Sequence, residues 1–462
     1  MKIPVLALRN LLRNRRRSLT TLLAMMVGLV AVLVFGGYSS NVIYATQTGI
    51  VQFTGHLQIQ HQDYFLYGSG NPTEYGITDY QRIIDVVGRD PVMAPLLNVQ
   101  TPILVFGGLA GNFEAGVSRT VLGVGLVVED QNKMRRWNDY GGPNFVDPLP
   151  LTHTSTDAAV IGTGVARELQ LCGPLKVAEC HSPKKKAAKP ETVQLPADIA
   201  ALSSLEQSGA THEATRIELL ATSNKGMPNV ASLNVVHAEN KGSKELNDLY
   251  LAMHLPKAQR LLFGATAPQV TAIQIQLQHT DQVPAARQRL QYLLSTHFKD
   301  RPLVVHDFET LMPIYGQTVS FMQSVVTFIA VLIGAIVVFT ISNTMSAAVV
   351  ERTVEIGTLR AMGLRRDGIR RLFICEAALL GIVGTALGTA LALLVAYLIN
   401  QSGLDYIPPG YARSYPIIVR IWSDLPLLLG SSIGLMAVAL FSAWWPANRA
   451  ARMVIVDALR HA

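Results

Sequence analysis

Residues 321–344 read FMQSVVTFIAVLIGAIVVFTISNT, a run without one ionisable side chain. A helix needs about 20 predominantly apolar residues to cross the hydrocarbon of a bilayer, and this run has that length and composition. Three further runs share its character, at 18–38, 377–399 and 425–445. The chain has 462 residues, 49% hydrophobic and 15% charged, too apolar for an ordinary soluble multidomain protein. Four transmembrane helices are therefore predicted. The first run is longer than the roughly 7 to 15 apolar residues of a secretory signal, and no A-x-A-like site closes it. It is read as an uncleaved span.

Basic residues near span ends set orientation, because they stay on the cytoplasmic side. They cluster in three places: Lys2, Arg9, Arg13, Arg15, Arg16 and Arg17; Arg352, Arg360, Arg365, Arg366, Arg370 and Arg371; Arg449, Arg452 and Arg460. Two crossings separate each cluster from the next, so all three fall on one face, and both termini are placed in the cytoplasm. The loop 401–424 carries only Arg413 and Arg420 against Asp405 and Asp424, and is placed outside. Tyr38, Trp422, Trp444 and Trp445 fit interfacial aromatic belts. The net charge of +7 is explained largely by the flanking clusters, drawn to anionic membrane lipids. No nucleic-acid partner is expected.

The fold class expected is an α-helical membrane protein of four spans with a large mixed α/β extracytoplasmic domain between the first and second. Residues 1–17 form a basic interfacial helix, with Val5, Leu8, Leu11 and Leu12 at helical spacing. The outer domain covers 39–320, a cytoplasmic segment 345–376, and a cytoplasmic tail 446–462. Within the domain, alternation and β-branched residues mark strands at 56–60, 101–106, 120–126, 216–222, 231–237 and 272–278. Helical spacing marks 80–87, 164–171, 256–262 and 283–296. Residues 181–196, with Pro183, Lys184 to Lys186, Lys189 and Pro190, cannot bury a core and are read as a flexible loop. Cys172 and Cys180 precede that loop on the oxidising side. A disulfide closing a small hairpin is favoured there over two free thiols. Cys375, near the inner end of the third span, is expected to stay reduced.

Familiar catalytic motifs fail on their chemistry. Gly363 and Gly368 have the glycine spacing of a phosphate loop, but Ile369 and Arg370 stand where Lys and Ser/Thr are needed. Gly430, Ser432 and Gly434 match G-x-S-x-G, yet sit inside an apolar helix rather than on an exposed strand-to-helix turn. Gly384 and Gly388 have small-xxx-small spacing, read either as packing within the chain or as a dimer seam. His56 and His61 are isolated, and no group has metal-ligand spacing. No catalytic residue, bound metal or cofactor is expected on this chain. The spans hold no Asp, Glu, Lys, Arg or His, so the buried ionisable relays of ion-coupled transporters are missing and energy must come from elsewhere.

The informative stretch is Glu351-Arg-Thr-Val-Glu355-Ile-Gly-Thr-Leu-Arg360-Ala-Met-Gly363, followed by Leu364 to Leu372. Glu351 and Glu355 share one helical face, while Ile356, Leu359 and Met362 share another. Like charges at i,i+4 cost a lone helix a few tenths of a kcal/mol, about 0.2 to 0.5, so a basic partner or open solvent should face them. Beyond Gly363, Asp367 precedes Arg370 and Arg371 in the favourable order for a renewed helix.

Residues 351–372 resemble the signature of the MacB, FtsX and LolE-type ABC transporter permease superfamily. The basic Leu8-Arg-Asn-Leu-Leu-Arg13 before the first span and Trp445-Pro-Ala-Asn-Arg-Ala-Ala-Arg452 with Asp457-Ala-Leu-Arg460 are similar to it too. Val160-Ile-Gly-Thr-Gly-Val-Ala166, Asn247-Asp-Leu-Tyr-Leu-Ala-Met253 and Ala258-Gln-Arg-Leu-Leu262 look more like its lipoprotein-release (LolC/LolE-like) branch than its macrolide-exporter branch. MacB proper carries a fused ATPase that these residues lack.

The resemblance implies a non-catalytic permease subunit whose segment 345–376 couples to a separate cytoplasmic ABC ATPase dimer, with ATP and Mg on that partner. It assigns ATPase coupling to Glu351, Arg352, Glu355, Ile356, Gly357, Leu359, Arg360, Met362 and Gly363. A second permease copy or paralogue and a periplasmic carrier or adaptor are the other partners implied, for lipoprotein release or export of a hydrophobic substrate. The rivals are an FtsX-like transmitter regulating a periplasmic partner, a MacB-like efflux permease, and a membrane-anchored enzyme, for which no convergent polar site is visible.

Overall fold

The computed structural model describes residues 3–68, 70–142, 146–177, 180, 214–223, 226–407 and 414–454. The loop expected at 181–196 lies outside them. The chain forms two compact units: residues 1–45, 314–406 and 416–462 make one, and residues 46–313 with 407–415 make the other.

Two helices open the chain, α1 (Ile3–Arg13) and α2 (Arg15–Thr54). Helix α2 continues well past the predicted span end at Tyr38. Beyond that point Ser39, Ser40 and Asn41 are too polar for hydrocarbon, yet no proline interrupts the run up to Thr54. Hydropathy marks where lipid would end, and the helix itself needs only the absence of a breaker. Gly55, at φ +75°, stops it. Its amide donates back to the Val51 carbonyl at 3.0 Å, the left-handed ending that glycine adopts without strain.

The α/β unit is built on nine strands: β1 (Leu57–His61), β2 (Leu97–Asn112), β3 (Val117–Leu126), β4 (Ala158–Gly162), β5 (Arg216–Thr222), β6 (Pro228–Glu239), β7 (Tyr250–His254), β8 (Ala272–Leu277) and β9 (Leu303–Asp307). Pairing runs β3-β7-β4-β6-β5-β2-β8-β1-β9, and β3 also pairs with β2. Six strands therefore close on themselves, with the long β2 as the seam. Closure removes the exposed edges that an open sheet presents. Strands β8, β1 and β9 continue from the first half of β2. Helices α3 (Tyr80–Arg89), α4 (Val128–Arg135), α5 (Thr163–Glu168), α6 (Lys244–Leu249), α7 (Leu255–Phe263) and α8 (Val283–His297) flank the sheet. One core joins Leu57, Ile59, Ile273 and Ile275 of the sheet to Ile83 of α3, Leu261 of α7 and Leu290 of α8.

Alternation found β5 at its observed bounds, most of β1, β3, β6 and β8, and six of the sixteen residues of β2. It missed β4, β7 and β9, and helices α4 and α6. Strand β4, Ala-Ala-Val-Ile-Gly, is buried at every position, so it has no polar alternation to detect.

The other unit holds α1, the first part of α2, and four further helices: α9 (Pro313–Glu351), α10 (Thr353–Ala361), α11 (Arg366–Gln401) and α12 (Leu425–Arg452). Four helices, α2, α9, α11 and α12, are long and apolar enough to cross a membrane. Small residues set their spacing. A Cβ added to Gly384 would lie 3.3 Å from the Met25 side chain, and one added to Gly388 would lie 3.1 Å from Leu29. This glycine pair thus seats α11 against α2 within one chain. Ala439, Ala443, Ala447 and Ala450 of α12 are fully buried in the same core. Gly430, Ser432 and Gly434 lie inside α12, where no strand-to-helix turn exists for a nucleophile elbow.

Candidate functional site

The site is assembled around α10. Helix α9 ends at Glu351, the backbone bends at Arg352 (φ −101°, ψ 14°), and α10 begins at Thr353. Gly363, at φ +94°, ends α10. Its amide donates to the Arg360 carbonyl at 3.1 Å and the Leu364 amide to the Leu359 carbonyl at 3.0 Å. This is the paired-bond ending that a left-handed glycine permits. Asp367 then opens α11 with an i,i+3 bond to Arg370 at 2.6 Å.

The two glutamates find their basic partners inside the chain. Arg13 of α1 pairs with Glu355 at 2.6 Å, and Arg17 of α2 pairs with Glu351. Both pairs are largely solvated. Arg352 turns the other way. Its side chain is 9% exposed and pairs at 3.2 Å with Glu376 of α11, itself 4% exposed. The Asn10 amide of α1 donates to the same Glu376 oxygen at 2.7 Å, and the Arg352 Nη2 donates to the Asn10 carbonyl at 3.2 Å. Arg360 donates to the Met453 carbonyl beyond α12. Segment 351–360 is thereby tied to α1, α2, α11 and the end of α12.

Placement divides the nine residues assigned from sequence. Glu351, Glu355, Met362 and Gly363 are at the surface, and Leu359 and Arg360 are half-buried. Arg352, Ile356 and Gly357 face the interior. The apolar edge read as Ile356, Leu359 and Met362 is split, because Ile356 and Leu359 pack into the helical core while Met362 is 71% exposed. Large apolar residues presented outward are Val350 at the end of α9, Val354 in α10 and Met362 just after it.

Residues 327–455 match the family described as FtsX-like permease C-terminal, a stretch that contains all of α10, α11 and α12. The C-terminal helices are thus similar to an FtsX-like permease domain. The chain is also similar to the macrolide export ATP-binding/permease protein MacB of Escherichia coli strain K12, at 32% identity over 174 residues. That alignment covers 38% of this chain and 25% of the relative. MacB 1 of Escherichia coli O1:K1 and MacB of Shigella boydii serotype 4 match with the same identity and coverage. The chain thus spans about a quarter of the length of these relatives. Together these matches make the permease region similar to FtsX-like and MacB permeases.

Sequence reasoning missed Asn10, Arg13, Arg17 and Glu376 as parts of the permease site. A signal was present. Arg13 and Arg17 have the same i,i+4 spacing as Glu351 and Glu355, and Glu376 is the one acid between Asp367 and the apolar run that follows it. Cys172 and Cys180 are joined by a disulfide, with Cα atoms 5.5 Å apart, and Cys375 is a free thiol.

Proposed function

We propose that this chain is the permease subunit of an ABC transporter, in which a separate ATPase docks on the α10 segment and its ATP-driven movement is relayed to the α/β domain. The observation that carries this reading is the state of α10. Three of its surroundings are locked to the chain by Glu351, Arg352 and Arg360, while Val350, Val354 and Met362 are left outward. A helix held rigidly and offering a short apolar face suits a groove on a partner. ATP and Mg would be held by that partner.

The finer reading follows the resemblance. On this reading the protein sits in a bacterial inner membrane, with α10 and both termini cytoplasmic and the α/β domain periplasmic. The working unit is two permeases with an ATPase dimer, and a periplasmic carrier or adaptor receives the cargo. Lipoprotein release is the favoured task, on the likeness of 160–166 and 247–262 to that branch. Similarity to macrolide export proteins supports export of a hydrophobic substrate as the second reading.

The test is Val354→Asp with Met362→Asp in the full chain. Both side chains are exposed, so folding and insertion should be retained, while co-purification with the ATPase and ATP hydrolysis by the complex should be lost. Hydrolysis and co-purification at the unsubstituted level would overturn the docking assignment.

A further inference from the structure

An α-helix leaves the carbonyls of its last four residues without partners inside the helix. In α2 these belong to Val51, Gln52, Phe53 and Thr54, and each accepts a hydrogen bond from the side-chain amide of a different glutamine. Gln276 donates to Val51 at 3.2 Å, Gln131 to Gln52 at 3.2 Å, Gln274 to Phe53 at 2.9 Å and Gln58 to Thr54 at 2.8 Å. All four glutamines are less than a tenth exposed. Gln276 also donates to the Met134 carbonyl of α4 at 3.1 Å, and Gln52 returns a bond to the Trp137 carbonyl at 2.8 Å.

These glutamines come from the alternation Leu-Gln-Ile-Gln in β1 and Ile-Gln-Ile-Gln in β8, with Gln58 directly opposite Gln274. Such alternation ordinarily puts the polar face in water. Here every residue of β8 is buried, because the end of α2 covers the glutamine face. Apolar residues would pack there at lower desolvation cost, but would take away the side-chain donors that the carbonyls at this helix end accept from. Cations complete the grip. The Lys241 ammonium lies 4.1 Å from the centre of the Phe53 ring, and the Arg135 guanidinium 5.4 Å from it, at the end of the helix where the macrodipole favours positive charge.

We propose that this glutamine socket clamps the last turn of α2 to the sheet, and that Gln58, Gln131, Gln274 and Gln276 are positioning residues that make α2 the arm through which movement reaches the α/β domain. This rests on the permease reading above. The socket ties the helix end to three separate elements, β1, β8 and α4, so displacement of the last turn drags all three.

The test is hydrogen exchange on the full chain in lipid nanodiscs with its co-purifying ATPase, with and without ATP and vanadate. The variant is Gln274→Leu with Gln276→Leu. The control is Gln100→Leu, which removes a bond from the opposite face of the sheet to the Ile84 carbonyl of α3. In the double variant, amides 51–56 should exchange about tenfold faster. The nucleotide response at 353–361 should persist, and the response in β1 and β8 should disappear. The control should behave as the unsubstituted chain does. Gln131→Leu, outside the sheet, carries the same test if the double variant misfolds. An unaltered response in β1 and β8, or no loosening at 51–56, overturns the socket alone. No response at 353–361 in the unsubstituted complex overturns the permease reading and the socket with it.

Discussion

Arg352 and Glu376 form an ion pair 3.2 Å apart in which neither side chain is more than a tenth exposed. Taking two charges out of water is expensive, so the pair contributes more to defining one arrangement of α10 than to net stability. Breaking it from one side should cost about 3–5 kcal/mol, because the surviving charge stays buried. Arg352→Met or Glu376→Gln should therefore lower the unfolding midpoint of the detergent-solubilised chain sharply. Replacing both residues by Met should recover most of the loss. A double variant as unstable as the worse single one would contradict this.

Glu351 and Glu355 make solvated pairs with Arg17 and Arg13, each worth about 0.2–1 kcal/mol. Reversing both glutamates to Lys should leave the melting temperature almost unchanged and, under the proposed permease function, reduce ATP hydrolysis by the complex with the ATPase, since α1 is repelled from α10. Adding Arg13→Glu and Arg17→Glu should restore hydrolysis. If the swapped chain stays uncoupled, the glutamates act on the ATPase directly.

In the α/β unit, Arg135 and Lys241 share one carboxylate, Glu239, at 2.9 Å and 3.5 Å. Glu239→Gln should cost about 3–5 kcal/mol, since it leaves two buried cations together. Lys241→Met should cost far less. Burial, with Arg135 adding to it, pulls the Lys241 ammonium down to about 8 against an ordinary value of 10.5, while Glu239 opposes the shift. The unfolded chain then binds more protons between those two values, so stability should rise as pH climbs through that window. Chemical unfolding at pH 8 and pH 10 should show the rise, and Lys241→Met should abolish it.

His56 is fully buried, its Nδ1 accepting from the Leu277 amide at 3.0 Å and its ring set edge-on to Trp137. Burial pushes the imidazole from 6.5 down to about 4, with Asp139 working weakly in the opposite direction. The folded domain therefore resists a proton that the unfolded chain accepts. Its stabilisation is complete above about pH 6.5 and is lost as pH falls towards 4, amounting to roughly 3 kcal/mol. Trp137 fluorescence during unfolding at pH 7 and pH 5 should report the loss. His56→Asn should flatten the pH dependence.

The sequence made the apolar spans and the alternating strands legible because each leaves a periodic or compositional trace. The 321–344 run falls inside α9, and 216–222 coincides with β5. What stayed hidden depends on partners distant in the chain. The glutamines of β8 look like a wet face until α2 is known to cover them. Arg352 looks like one more surface arginine until Glu376 is beside it. In the candidate site, Glu351, Glu355 and Met362 could be read from helical spacing, whereas the burial of Ile356 and Gly357 depends on the helices packed around α10.

Strand β1 pairs residue for residue with β9, from Leu57 opposite Asp307 to His61 opposite Leu303. The chain thus leaves the α/β unit beside the point where it came in. Ends that meet in neighbouring strands make the intervening polypeptide a cassette, a form in which insertion and replacement are readily tolerated. Loops between His61 and Leu303 can diverge in length and surface chemistry while the β1–β9 and β1–β8 pairings and the glutamines around the end of α2 hold the ends in register.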